Sequence, residues 1–144
     1  MQPLKYYLDV YSSSHMDTVN IKIHNVCVPA IMWSLPAFLS SFLIMSPINA
    51  GHLFIVGCLF YYALFRNIRL FATMFIVSSF ILISAAVIPE VRITAIVVFI
   101  VAWIGQFYGH KIEGKKPSFL QDVSYLLIGP VWVIEKLFPK FLHV

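Results

Sequence analysis

Gln106, His110 and Glu113 stand at i, i+4 and i+7 in the stretch GQFYGHKIEGKKPSF that begins at Gly105. On a helix that spacing gathers all three within about 60° of arc, and an imidazole and a carboxylate three residues apart can converge on one metal ion. A second polar group lies in YSSSHMDTVNIKIHNVCVP, where His15 and His24 are nine residues apart. On one unbroken helix those two rings would point about 180° apart. Asp17 and Thr18 form an N-cap signal, so a helix beginning there leaves His15 in the preceding loop, free to turn back, and sets Asn20 and His24 at i and i+4 on one face. Pro29 should kink this helix about a turn later by removing a backbone donor.

Neutral imidazoles with a carboxylate and open positions suit non-haem iron(II) oxygen chemistry, whereas a closed structural zinc site more often uses cysteine. Zinc, and with it a metal-dependent hydrolase, stays open at this stage, as does a non-enzymatic scaffold or channel in which the polar stripe is helix glue or an ion path. Cys27 and Cys58 lie in apolar runs without CxxC spacing and read as small buried hydrophobes. His52 and His143 read as non-ligands, and Gly105 with Gly109 as a GxxxG at which a neighbouring helix of the same chain can approach.

The elements that must position these groups belong to a membrane protein. The chain has 144 residues, 60% hydrophobic and 11% charged, with a mean hydropathy of +0.88; ordinary soluble domains carry about 25% charge. We therefore expect one all-α domain over 1–144, a polytopic transmembrane helix bundle. Apolar runs at 25–45, 47–65, 70–89 and 93–110 give four spans against the roughly 20 residues a crossing needs. The second is the weakest, because its purely apolar part covers only about 21 Å. A fifth run, 119–138, carries Gln121, Asp122 and Glu135 and the Gly129-Pro130 pair, and reads as a broken or interfacial helix, or a fifth span. No cleavable signal peptide is expected, because the first 24 residues contain no apolar core.

The net charge of +4 is scattered rather than gathered on one face, which argues against a nucleic-acid partner. Alternating the loops places Lys5, Lys22, Arg66, Arg69, Lys111, Lys115 and Lys116 on one side, which should face the cytoplasm. His15, His24, His110 and Glu113 fall on that side. Phe60, Tyr61, Tyr62, Trp103, Phe107, Tyr108 and Trp132 read as bundle core or interfacial belt.

The same residues carry a resemblance. Y-x3-H-x4-N-x3-H-x4-P near the start, QF-x-GH-x-x-EG-x-x-P later and LLIGPVWVIEKLF beyond resemble the small membrane-protein family typified by the yeast 2-hydroxy fatty acid dioxygenase of phytosphingosine breakdown. The resemblance covers nearly the whole chain through Tyr11, His15, Asn20, His24, Pro29, Gln106, His110, Glu113 and Pro117, and departs at Asp17 and Cys27, where Asn and Gly are common. It implies an α-oxidation that removes one carbon from a 2-hydroxy fatty acid with O2, in the endoplasmic reticulum membrane of eukaryotes or the inner membrane of a bacterium. It further implies Fe2+ as cofactor, held by His15, His24 and His110. Glu113 is then a fourth ligand or a partner behind the ligands, and with Asn20, Gln106 and Tyr11 it makes up the expected catalytic residues around the metal. Lys111, Lys115 and Lys116 are candidates to attract the substrate carboxylate, membrane lipid is the surrounding partner, and nothing indicates a homo-oligomer.

Overall fold

The computed structural model describes residues 2–120 and 122–142; Gln121 and His143 lie outside them. The protein is all-α, with 76% of the described residues helical. In chain order the described residues form α1 (Leu4–Ser13), α2 (Thr18–Ser40), a small antiparallel hairpin of β1 (Leu43–Met45) and β2 (Ile48–Asn49), α3 (Ala50–Ala63), α4 (Ile68–Val87), α5 (Val91–Glu113), a 3-10 turn (Ser118–Leu120) and α6 (Tyr125–Leu137). Three helices, α2, α4 and α5, are long and apolar enough to cross a membrane. At 14 residues, α3 is about 21 Å long, which matches the short apolar segment expected there. Phe75, Ile76, Phe80 and Ile83 on α4, and Ile93, Val97, Ile100 and Ile104 on α5, are exposed, the outward apolar surface that lipid tails would cover.

The chain divides into two compact units, one of residues up to Pro29 with those from Val101 onward, the other Ala30–Ile100. In the second unit, small residues let helices approach: Ala37, Ala85 and Ala95 form a buried cluster with Trp33, Phe38 and Val91 packed on it. The Trp33 indole donates to Ser84 Oγ at 2.9 Å. The apolar run 25–45 does not stay helical to its end. Ser40 and Ser41 hydroxyls turn back to the carbonyls of Ala37 and Phe38, and with Pro47 unable to continue a helix the chain turns into the hairpin. Asn49 then starts α3, accepting from the His52 N–H at 3.1 Å while His52 Nδ1 accepts from the Asn49 N–H; His52 is a capping residue. Arg92 donates from Nε to Ser41 Oγ at 3.1 Å and lies over the Phe42 ring.

In the first unit, α1 packs on α6. Leu4, Leu8 and Tyr11 are buried along one face of α1, and Tyr7 and Tyr11 meet the Tyr125 ring at 6.0 and 6.3 Å. This helix went unseen in the sequence because it is only 10 residues long and its surroundings are polar. The expected break at Gly129-Pro130 is also displaced: α6 runs through Pro130, and the interruption falls earlier, between the 3-10 turn and Tyr125. Pro130 leaves one carbonyl without its intrahelical donor, yet Ile128 to Val133 are all buried, and that packing holds the helix through it. Likewise α2 stays helical across Pro29 and Pro36.

A Cβ on Gly51 would come 2.7 Å from the Pro36 carbonyl oxygen and 3.0 Å from the Ser40 nitrogen. Gly51→Ala should therefore cost about 1–3 kcal/mol, whereas Gly57→Ala, which meets nothing within 4 Å, should be neutral or slightly stabilising. Thermal denaturation of the detergent-solubilised variants checks the contrast, and equal melting temperatures would contradict it.

Candidate metal centre

The segment 14–17 between α1 and α2 brings His15 over the start of α2, and the end of α5 brings His110 to the same place. Asp17 caps α2 as expected: its Oδ1 accepts the N–H of Val19 at 2.8 Å and of Asn20 at 3.1 Å. His15, His24 and His110 are 2%, 0% and 6% exposed, and one ligand nitrogen from each lies within 4.8 Å of the others. Their ring centroids are 4.2 Å (His15–His24), 4.9 Å (His15–His110) and 4.8 Å (His24–His110) apart. Each ring leaves one buried nitrogen without a hydrogen-bond partner: Nε2 of His15, Nε2 of His24 and Nδ1 of His110.

The tautomers follow from the other nitrogens. His15 Nδ1 is 2.6 Å from the Tyr11 carbonyl oxygen and His24 Nδ1 is 3.0 Å from that of Asn20. A carbonyl can only accept, so both Nδ1 atoms carry the proton and both Nε2 atoms keep a lone pair. Burial pushes the His15 pKa down to about 4, with the His110 and Lys136 charges adding to it and the Tyr11 hydrogen bond and Glu113 opposing it. The ring is thus neutral, as a ligand must be. The stability linked to its burial is present above the ordinary histidine pKa of about 6.5 and is lost as pH falls from there toward 4.

Glu113 stands apart from the converging nitrogens. Its carboxylate accepts the Met16 N–H at 3.0 Å (Oε1) and 3.1 Å (Oε2), the Asp17 N–H at 2.8 Å and the Asn20 Nδ2 at 3.0 Å. An anion from α5 thus holds the first, otherwise unpaired N–H groups before α2, where the helix dipole also favours negative charge. The cluster of possible metal donors consists of the histidines, and Glu113 fixes the segment between two of them. Gly114, at φ 70°, ends α5 directly after it, a conformation that glycine adopts without strain.

Asn20 is fully buried and joins both arms, its carbonyl on His24 and its amide on Glu113. Gln106 is buried beside the His24 ring. Tyr11 acts through His15: its carbonyl takes the Nδ1 proton, its ring stacks on the imidazole at 4.2 Å and 5°, and burial raises its phenol pKa. The GxxxG is an intrachain contact, since a Cβ on Gly105 would meet Cys27 Sγ at 2.5 Å and one on Gly109 would meet Asn20 Oδ1 at 2.3 Å. Free Cys27 fills the space that Gly105 leaves.

Sequence reasoning missed the outer supports. Trp132, assigned to core or belt, packs on His15 at 5.2 Å and on Tyr11 at 5.3 Å and donates from Nε1 to Ser12 Oγ at 2.8 Å. Ser14 Oγ lies 3.3 Å from His15 Nδ1 and 2.6 Å from Ser118 Oγ, tying the 3-10 turn to the site. The i, i+4 spacing of Ile128, Trp132 and Lys136 was the available signal; the serines carried none. Lys115, a candidate for the substrate carboxylate, donates its ammonium to the Ser13 carbonyl.

Because Gly109 lies against Asn20, Gly109→Ala should displace the Asn20 amide and loosen its bond to Glu113. The expected result is a fall of about 10-fold or more in the affinity of the purified protein for Co2+ used as a probe ion. Unchanged affinity would show that the Asn20 contact does not set the geometry.

No curated protein and no solved structure gives a significant match, but the family described as 2-hydroxy-palmitic acid dioxygenase Mpo1-like matches residues 1–141. Every residue of the histidine cluster and its supports falls inside that match, and the chain belongs to the Mpo1-like family.

Proposed function

We propose that this protein is an iron(II)-dependent oxygenase that shortens 2-hydroxy fatty acids by one carbon, with His15, His24 and His110 holding the metal. The observation that carries the reading is the convergence of three buried imidazoles whose nitrogens lie within 4.8 Å of one another, in a chain whose family carries the name of a 2-hydroxy-palmitic acid dioxygenase. The donor set fits the ion: all imidazole, with no thiolate among the converging groups. Iron(II), when bound, would supply the redox chemistry that couples O2 to C1–C2 cleavage. The overall change balances without an external reductant: RCH(OH)COOH and O2 give RCOOH, CO2 and H2O, the two carbons losing the four electrons that O2 gains.

The chain's own residues bind, orient and exclude. The Tyr11 and Asn20 carbonyls hold protons on the Nδ1 atoms and so aim the Nε2 lone pairs of His15 and His24. Glu113 fixes the backbone that carries His15 relative to α5. Burial of all three rings excludes bulk water from the centre, and the acyl chain can remain among apolar helices. In this reading the lysine- and arginine-rich loops face the cytoplasm, the site opens on that side, and α3 makes a short fourth crossing.

Anaerobically prepared protein loaded with Fe2+ should consume O2 in the presence of 2-hydroxypalmitate and release pentadecanoate and CO2; iron-loaded protein without uptake overturns the reading. His110→Ala should lose both iron and turnover while still inserting, since one side chain changes little against three long apolar helices; full turnover in that variant would remove the site. Glu113→Gln keeps the shape but puts an NH2 where N–H donors converge, so turnover should fall about 10–100-fold with most iron retained. Metal-free Glu113→Gln protein would instead make Glu113 a ligand. Asn20→Ala should be milder than His110→Ala, and a larger loss from Asn20 would contradict its supporting role.

A further inference from the structure

Lys136 stands one helical turn beyond Trp132 on α6, with its ammonium 5.3 Å from the Trp132 ring centroid. The other side of that relationship is the metal centre, because Trp132 is itself 5.2 Å from His15. Lys136 is exposed whereas the Trp132 ring it covers is 1% exposed, so one buried indole contacts the cation and His15. No carboxylate pairs with Lys136 among the described residues: the ion pair there joins Lys5 to Asp9. The adjacent Glu135 carboxylate is occupied by the backbone N–H groups of Lys140 at 2.8 Å and Leu142 at 3.4 Å. An ammonium over an indole face is held in place without being neutralised.

The other basic side chains near the centre are less suited. Lys115 donates to the Ser13 carbonyl. Lys111 follows His110 by one position and so leaves α5 about 100° away from it. We propose that Lys136 receives the carboxylate of the substrate and so selects free acids over their uncharged derivatives, a role that rests on the oxygenase reading above. In this proposal the carboxylate is held at Lys136 and C2 with its hydroxyl is directed past Trp132 to the histidine cluster. A primary amide or an ester of the same 2-hydroxy acid lacks the charge that Lys136 recognises.

The test uses iron-loaded protein in nanodiscs and compares wild type with Lys136→Gln and Lys136→Arg. Anaerobic equilibrium binding of 2-hydroxypalmitate and of 2-hydroxypalmitamide is measured beside KM and kcat for the acid under air. Lys136→Gln should raise Kd and KM for the acid about 10-fold or more, the scale of one charge-assisted hydrogen bond, with kcat and bound iron little changed and amide binding unaffected. Lys136→Arg should restore most of the acid's affinity. Unchanged acid binding in Lys136→Gln, or equal weakening of acid and amide, overturns the proposal, the second because it marks a merely structural role. Wild-type protein that binds the acid in a Lys136-dependent way yet consumes no O2 upholds the carboxylate site and overturns only the oxygenase reading.

Discussion

Three imidazoles are buried against one another, each with a ring nitrogen that no protein group satisfies, and the rest of the first unit is arranged around that constraint. An unsatisfied buried polar group costs on the order of 1–3 kcal/mol, so three of them offset a large share of the 5–15 kcal/mol by which a typical domain is stable. One ligand nitrogen of each ring lies within 4.8 Å of the others, so a single bound cation would offset part of that cost and link metal binding to stability.

The apposition is held by one anion. Glu113 comes from the last residue of α5 and accepts the N–H groups of Met16 and Asp17 and the Asn20 amide, joining the carrier of His110 to the segment between His15 and His24. The glycines one and two turns earlier allow α2 close enough for that bond, Gly105 against Cys27 and Gly109 against Asn20. A charged group where an apolar helix ends is thus explained by the neighbouring helix start it caps.

Much of this was legible because it is written in local periodicity. The i, i+4, i+7 spacing of Gln106, His110 and Glu113 gave one face of α5, and Asp17 gave the start of α2, which in turn released His15 from the helix and removed the apparent 180° conflict with His24. The long apolar runs gave α4 and α5 to within two or three residues. What stayed hidden depends on contacts remote in sequence. α1 is too short and too polar to register as an apolar run, and its buried face has meaning only against α6. Trp132 reads as an ordinary core aromatic until Tyr11 and His15 are placed beside it. The hairpin after Ser40 interrupts an apolar run that hydropathy alone treats as continuous, because Ser40 and Ser41 turn their hydroxyls back on the helix and Pro47 prevents its renewal.

Iron K-edge X-ray absorption on anaerobically loaded protein tests the central assignment most directly, since imidazole rings scatter with a signature that carboxylates and water lack. The account predicts one Fe2+ per chain with a shell containing about three imidazoles, completed by water or carboxylate oxygen at the open positions. In a His24→Ala variant that shell should disappear rather than shift. A shell with at most one imidazole, or one that survives the loss of His24, would contradict it.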